Sequence, residues 1–307
     1  MNDRHRAWTR ALTLGAPALY VVALGITIAS WGLPVARDQL FLWLGLGMAA
    51  LSISAWRSWG VMLLEWLPFF SLLVTYDYLR GAVSVAPAQA HVLPQIDADK
   101  ALFAGSVPSV WLQQHLWTPG HFHWYDYAAW GIYMTHFFAV WVVAAVLWRV
   151  SHDQFRRYAV LTITLTLGAF LTYWLYPAQP PWLAGDGGNL PVVDRIVPEV
   201  WGQLGVQTVQ SAYENGGFVN TVAAMPSLHA AYPFMLMLFF WPAGKLVRIV
   251  LGFYTLAMAF TLVYGGEHFV IDILAGWLMV LVVFGLIRAV PVALVRLRRR
   301  AVVPLRA

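Results

Sequence analysis

Gly265-Gly266-Glu267-His268-Phe269-Val270-Ile271-Asp272 opens a stretch that continues, apolar, through Ile273-Leu274-Ala275-Gly276-Trp277-Leu278 to Val290. A helix needs about 20 mostly apolar residues to cross the hydrocarbon of a bilayer. Phe269 to Val290 supplies that length, with Asp272 and Arg288 its only charged residues. The stretch reads as a membrane helix with a histidine and an aspartate at its start. Because His268 and Asp272 are four apart, they stack on one helix face.

Working outward, similar apolar stretches run from Ala11 to Trp31, Gln39 to Ala55, Trp59 to Leu79, Tyr125 to Val150, Tyr158 to Tyr176, Ser227 to Trp241 and Leu246 to Tyr264. The expected fold is therefore all-α, a polytopic transmembrane helix bundle of about eight spans. Composition agrees: 60% of the 307 residues are hydrophobic and 11% charged, about half the charge of an ordinary soluble domain. The 17 Trp and 13 Tyr suit helices that end in headgroup layers. The first segment is long and has no clear cleavage site, so it reads as a retained span rather than a signal peptide. The chain has no cysteine, which excludes disulfides, thiolate metal sites and a cysteine nucleophile.

The basic residues orient the bundle. With the N-terminus cytoplasmic, the inner connections and tail receive 15 of the 19 Lys and Arg residues. Only Arg37, Arg80, Lys100 and Arg195 fall outside, as the positive-inside rule asks. Both termini are expected in the cytoplasm, by default of a bacterial plasma membrane. This topology accounts for the formal charge of +5 without nucleic acid. The Arg296 to Arg300 run then serves as a stop-transfer anchor. A single integral domain is expected: two peripheral spans over 1–58, a catalytic helical core over 59–290 and a basic tail over 291–307. Two long connections, about Arg80 to Trp124 and Pro177 to Pro226, fall on the outer face. Their tryptophans and short apolar runs predict short interfacial helices.

Ionisable residues at membrane depth are costly and are candidate sites by default. His229, in Met225-Pro226-Ser227-Leu228-His229, starts one outer helix end. A helical hairpin then returns the chain to the same depth at His268. Asp272 can hold one ring nitrogen of His268, leaving the other as a nucleophile. His229 faces it as a general acid. Ser227 doubles as an N-cap, the ordinary role of a serine ahead of a helix. Glu65, mid-segment, lies well below this level and reads as a packing residue.

Pro226-Ser227-Leu228-His229 and His268-x-x-x-Asp272 resemble the second and third signatures of the type-2 phosphatidic acid phosphatase superfamily. Within it, Tyr176-Pro177-Ala178-Gln179-Pro180-Pro181-Trp182 resembles the proline-rich motif of the branch holding inositolphosphotransferases and inositol phosphorylceramide synthases. The similarity runs from about Trp59 to Val290. It implies a helical core and a cofactor-free, metal-independent reaction through a phosphohistidine. His268 is then the nucleophile, Asp272 its orienting partner and His229 the acid and later base. Two features depart from the superfamily pattern. Leu262 stands where better-known members carry an arginine six residues before the nucleophile, and their first signature, with its lysine and Arg-Pro, is absent.

A phosphate with developing charge still needs cations. Arg80 is the first choice, with Lys100 and Arg195 as loop alternatives and Ser227 as a hydroxyl donor. Asp77, Asp126, Tyr176 and Trp182 are candidates for the headgroup, Asp126 being equally readable as a solvated helix end. The expected activity is an enzyme acting on a membrane lipid's phosphate, with inositol-phosphate transfer ahead of hydrolysis of phosphatidate or polyprenyl phosphate. The missing arginine points to a phosphodiester rather than a dianionic monoester. A lipid transporter would want ionisable residues near the midplane and broken helices in matching halves. Two His and one Asp could hold zinc, but there is no His-Glu-x-x-His and the pairing with His268 already accounts for Asp272.

Overall fold

The structure, a computed structural model, describes residues 3–31, 37–52, 60, 63–68, 71, 72, 75, 89–204 and 221–301. The chain clusters into two compact units, Met1–Val74 with Pro198–Val219, and Thr75–Val197 with Asn220–Ala307. Among the described residues no strand occurs.

In the first unit, α1 (Asp3–Trp31) packs on α2 (Arg37–Ser52). The Tyr20 ring lies 5.7 Å from that of Trp43. Gly47 lets the helices approach: a Cβ there would stand 3.0 Å from the Tyr20 hydroxyl. Glu65 is partly buried in a helical stretch at 63–68. Most of the expected Trp59 to Leu79 span lies outside the described residues.

The second unit holds the chemistry. Its elements are α3 (Leu93–Leu102), α4 (Pro108–Leu116), α5 (Trp124–Val150), α6 (His152–Leu175), α7 (Pro181–Asp186), the first turn of α8 (Ile196–Gln203), α9 (Leu228–Phe239), α10 (Lys245–Tyr264) and α11 (Val270–Ala301). The two long connections thus carry short helices, as expected. α9 packs between α10 and α11, α5 lies against α6 and α10, and α3 and α4 rest on α11 and α10.

Among the described residues α5, α6, α10 and residues 270–288 of α11 are long and apolar enough to cross a membrane. α9 and residues 15–30 of α1 are shorter apolar helices. The outward face of α10 explains why water is the wrong solvent. Leu246, Ile249, Val250, Phe253, Leu256 and Phe260 all stand exposed at helical spacing. A continuous apolar stripe of that kind needs lipid around it. The protein is an all-α membrane protein.

Most helix ends fall near the apolar boundaries, but α1 starts at Asp3 rather than Ala11 and α11 runs to Ala301 rather than Val290, the helix continuing through basic residues that the apolar criterion excludes. α6 begins at His152, six residues before the expected Tyr158. The apolar criterion stops at the polar pair Arg156-Arg157, but the backbone coils on to Ser151, whose Oγ accepts the Gln154 N–H at 3.4 Å.

Candidate active site

α9 and α11 each begin at the site. Ser227 caps α9, its Oγ accepting the Ala230 N–H at 3.3 Å. Its own N–H donates to the Asp272 carbonyl at 3.0 Å. α11 packs so tightly here that a Cβ on Gly276 would come within 2.5 Å of the Ser227 carbonyl oxygen. This contact joins the two helix starts and sets His229 beside His268.

The result is a row of ionisable groups. His268 Nε2 lies 3.4 Å from His229 Nδ1. His268 Nδ1 faces Asp272 Oδ2 at 3.6 Å, an ion-pair distance longer than a formed hydrogen bond. Asp272 Oδ2 meanwhile accepts the Phe269 N–H at 3.0 Å. His268 Nδ1 and Asp272 Oδ1 are buried and make no hydrogen bond among the described residues. The carboxylate therefore faces one ring nitrogen and leaves the other turned toward His229, the arrangement a nucleophilic histidine needs.

Two residues of α5 complete the surroundings of His229. The Tyr133 ring stacks on it at 4.9 Å, and the His136 ring lies tilted against it at 3.9 Å. Neither was singled out from the sequence. The signal for His136 was present, since an ionisable residue inside a span is a candidate by default.

The start of α11 is held by a residue that sequence reasoning also missed. Asp99, fully buried in α3, accepts the N–H groups of Val270 and Ile271, both at 3.0 Å. Burial pushes its carboxyl up to about 6, against the two donors that favour the anion, and the nearby Asp272 adds to the rise.

Arg195 is paired with Glu267, the residue before His268. Its Nη2 bonds both carboxylate oxygens of Glu267 at 3.1 Å, and its Nε reaches Oε1 at 3.2 Å. Its guanidinium also lies 4.5 Å over the Trp182 ring. The backbone N–H of Trp182 in turn donates to the Gly266 carbonyl at 3.1 Å. The proline-rich motif is thereby fastened to the turn that presents His268. The backbone N–H groups of Glu267 and His268 both donate to the Leu262 carbonyl, at 3.0 and 3.2 Å.

The other expected residues are placed as follows. Tyr176 ends α6, with its ring stacked 4.1 Å from His91. Lys100 is exposed in the last turn of α3. Asp126 is fully buried rather than solvated. Its Oδ1 accepts the Tyr264 hydroxyl at 2.5 Å and its Oδ2 the His123 N–H at 2.7 Å, which ties the start of α5 to the end of α10. Asp77 and Arg80 lie outside the described residues.

Two apposed imidazoles, one backed by a carboxylate, at the end of a lipid-facing helical core define a membrane phosphoesterase of the helical type. The chain belongs to the PAP2 superfamily, whose family model matches residues 97–286. It is also similar to phosphoinositol dihydroceramide synthase of Bacteroides thetaiotaomicron, 28% identical over 227 residues that cover 68% of this chain and 71% of the relative. No solved structure matches it. The protein is thus a lipid phosphotransferase or phosphatase.

Proposed function

We propose that this enzyme transfers inositol phosphate from a glycerophospholipid to a lipid alcohol, through a phosphohistidine on His268, at the extracytoplasmic face. The observation that carries the mechanism is the 3.4 Å approach of His268 Nε2 to His229 Nδ1 with Asp272 behind the nucleophile. The similarity to a phosphoinositol dihydroceramide synthase supports transfer over hydrolysis, with a dihydroceramide-type hydroxyl as acceptor. The excess of basic residues in the connections opposite the site supports the orientation, with both termini in the cytoplasm of a bacterial plasma membrane.

His268 Nε2 attacks the phosphorus of the donor diester while the bond to the diacylglycerol oxygen breaks. His229 gives that oxygen its proton. Inositol phosphate is now linked to His268. The acceptor hydroxyl then surrenders its proton to His229 and attacks phosphorus, and His268 leaves. Each histidine ends as it began.

Resting, the two nitrogens are too close for this. A near-attack nitrogen stands about 3–3.5 Å from phosphorus, and a proton donor about 2.6–3.2 Å beyond, from the leaving oxygen. Together these exceed 3.4 Å, so the donor phosphate enters by parting the rings. Arg195 and Ser227 receive its oxygens, with Lys100 as a further cation. Trp182 and Tyr176 border the headgroup.

Mass spectrometry of the products tests the reading. Purified protein in mixed micelles receives phosphatidylinositol and dihydroceramide, or phosphatidate alone, beside a His268→Ala control. A phosphoinositol-bearing sphingolipid, absent from the control, is the expected product. Free phosphate from phosphatidate, with no transferred headgroup, would make the enzyme a phosphatase instead.

A further inference from the structure

Glu267 immediately precedes the nucleophile, yet neither attack nor proton transfer uses it. We infer that Glu267, through its pair with Arg195, makes the phosphate-binding wall selective for singly charged phosphodiesters over doubly charged monoesters. The inference rests on the proposed function for its choice of lipids and concerns the same site.

The pair is a built feature rather than a chance surface contact. Glu267 is 8% exposed, and Arg195 grips it with bonds to both carboxylate oxygens. The arginine is held from behind as well. Gln113 donates to the Asp194 carbonyl at 2.8 Å and accepts the Asp194 N–H at 2.8 Å. The same amide donates to the Tyr264 carbonyl at 2.8 Å, and Trp117 Nε1 holds Asp194 Oδ2 at 2.8 Å. Gly266, at φ +73, lets the turn pass under this clamp, since a Cβ there would meet the Asp194 carbonyl at 2.8 Å. Trp182 closes the guanidinium's face. Arg195 is thereby fixed in place before any lipid arrives.

A guanidinium so paired still offers directional N–H donors, but much of its charge is already matched. Attraction to a phosphate scales with the product of charges. An uncompensated cation rewards the second negative charge of a monoester. A compensated one does not, and the Glu267 carboxylate, one residue from His268, repels it. A diester, with one charge, receives the donors and escapes most of the repulsion. Glu267 would then supply the discrimination that the missing arginine at Leu262 only hinted at.

The test is a binding measurement, so that it stands apart from catalysis. The affinities of the full-length protein for phosphatidate and for phosphatidylmethanol, a diester of matching tail, are compared in micelles at pH 6 and pH 8. Dividing one by the other cancels titrations of the protein common to both. In the wild type, phosphatidate should weaken relative to phosphatidylmethanol as its second proton is lost. In Glu267→Gln the ratio should swing toward phosphatidate by about tenfold, the effect of unmasking one close charge. Glu267→Asp, which keeps the charge, should restore the wild-type ratio. A wild-type ratio that stays flat with pH overturns the inference, and so does a folded Glu267→Gln protein with the wild-type ratio. If Glu267→Gln does not fold, the wild-type pH series decides alone. Failure of the wild type to make a phosphoinositol lipid would instead strike the proposed function and leave the binding result standing.

Discussion

α9 and α11 both open onto the site beside a histidine, but their first turns are secured in opposite ways. α9 is capped by its own Ser227, three residues from the N–H it receives. α11 borrows Asp99, 171 and 172 positions away from the two N–H groups it accepts. The side-chain cap of α9 is thus local, while α11 adds to its own Asp272 a carboxylate from a distant short helix. Disturbance of α3 should reach His268 directly and spare the His229 cap. Under the proposed mechanism, precision at the two histidines therefore has different dependencies, although they touch.

The largest effects come from breaking the pair outright. His268→Ala should cost at least about 10³-fold in turnover and abolish any acid-quenched phosphoenzyme. His229→Ala should cost about 10²–10⁴-fold with natural lipid. Much of that loss should return with a nitrophenyl leaving group, which needs no proton. Equal rescue of both variants would remove the distinction between nucleophile and acid.

Asp99→Ala comes next, with kcat lower by about 10–100-fold at little change in KM, since slight misplacement of a reacting group costs that much. The pH dependence of stability sharpens the point. An acid whose folded pKa is raised binds its proton more tightly when folded. Its contribution is therefore greatest below the unfolded value of about 4, and is lost as pH rises through about 6. Thermal melting of Asp99→Asn should lack that part of the decline between those limits. An identical melting profile in the wild type and Asp99→Asn would mean that Asp99 does not titrate there.

Ser227→Ala should be the mildest, costing about 1 kcal/mol of stability as a lost N-cap. Because its backbone N–H to Asp272 survives, turnover should fall only a few-fold. A loss as deep as that of Asp99→Ala would mean that the hydroxyl's bond to the phosphate outweighs its role as a cap.

The same contrast explains what could be read from the chain alone. Ser227 as a cap, His268 and Asp272 on one face, and α5 to within one residue of its start were legible, because each is a matter of spacing along the chain. Asp99 on α11 and Arg195 on Glu267 were not, because each joins residues far apart in sequence. No local pattern announces such partners. Arg195 was one of four cations that topology placed outside, and only the folded loop puts it on Glu267, the residue before His268. His136 was passed over although its depth in α5 marked it. Asp126 looked like a solvated helix end, yet burial by Tyr264 from a helix 138 residues on makes it a tie between α5 and α10.

Gly276 deserves a last consideration as a gauge. The separation of the His229 and His268 rings is inherited from how far α11 can lean on Ser227, and that limit is a single missing methyl group. Replacement by alanine must push Ser227 outward, with His229 two residues on, so the mutation would lengthen the working gap without touching either histidine. The lipid-facing side of α11 can drift among Leu, Val and Phe at small cost. At position 276 even the smallest change in the sequence is also a change in the enzyme's stroke.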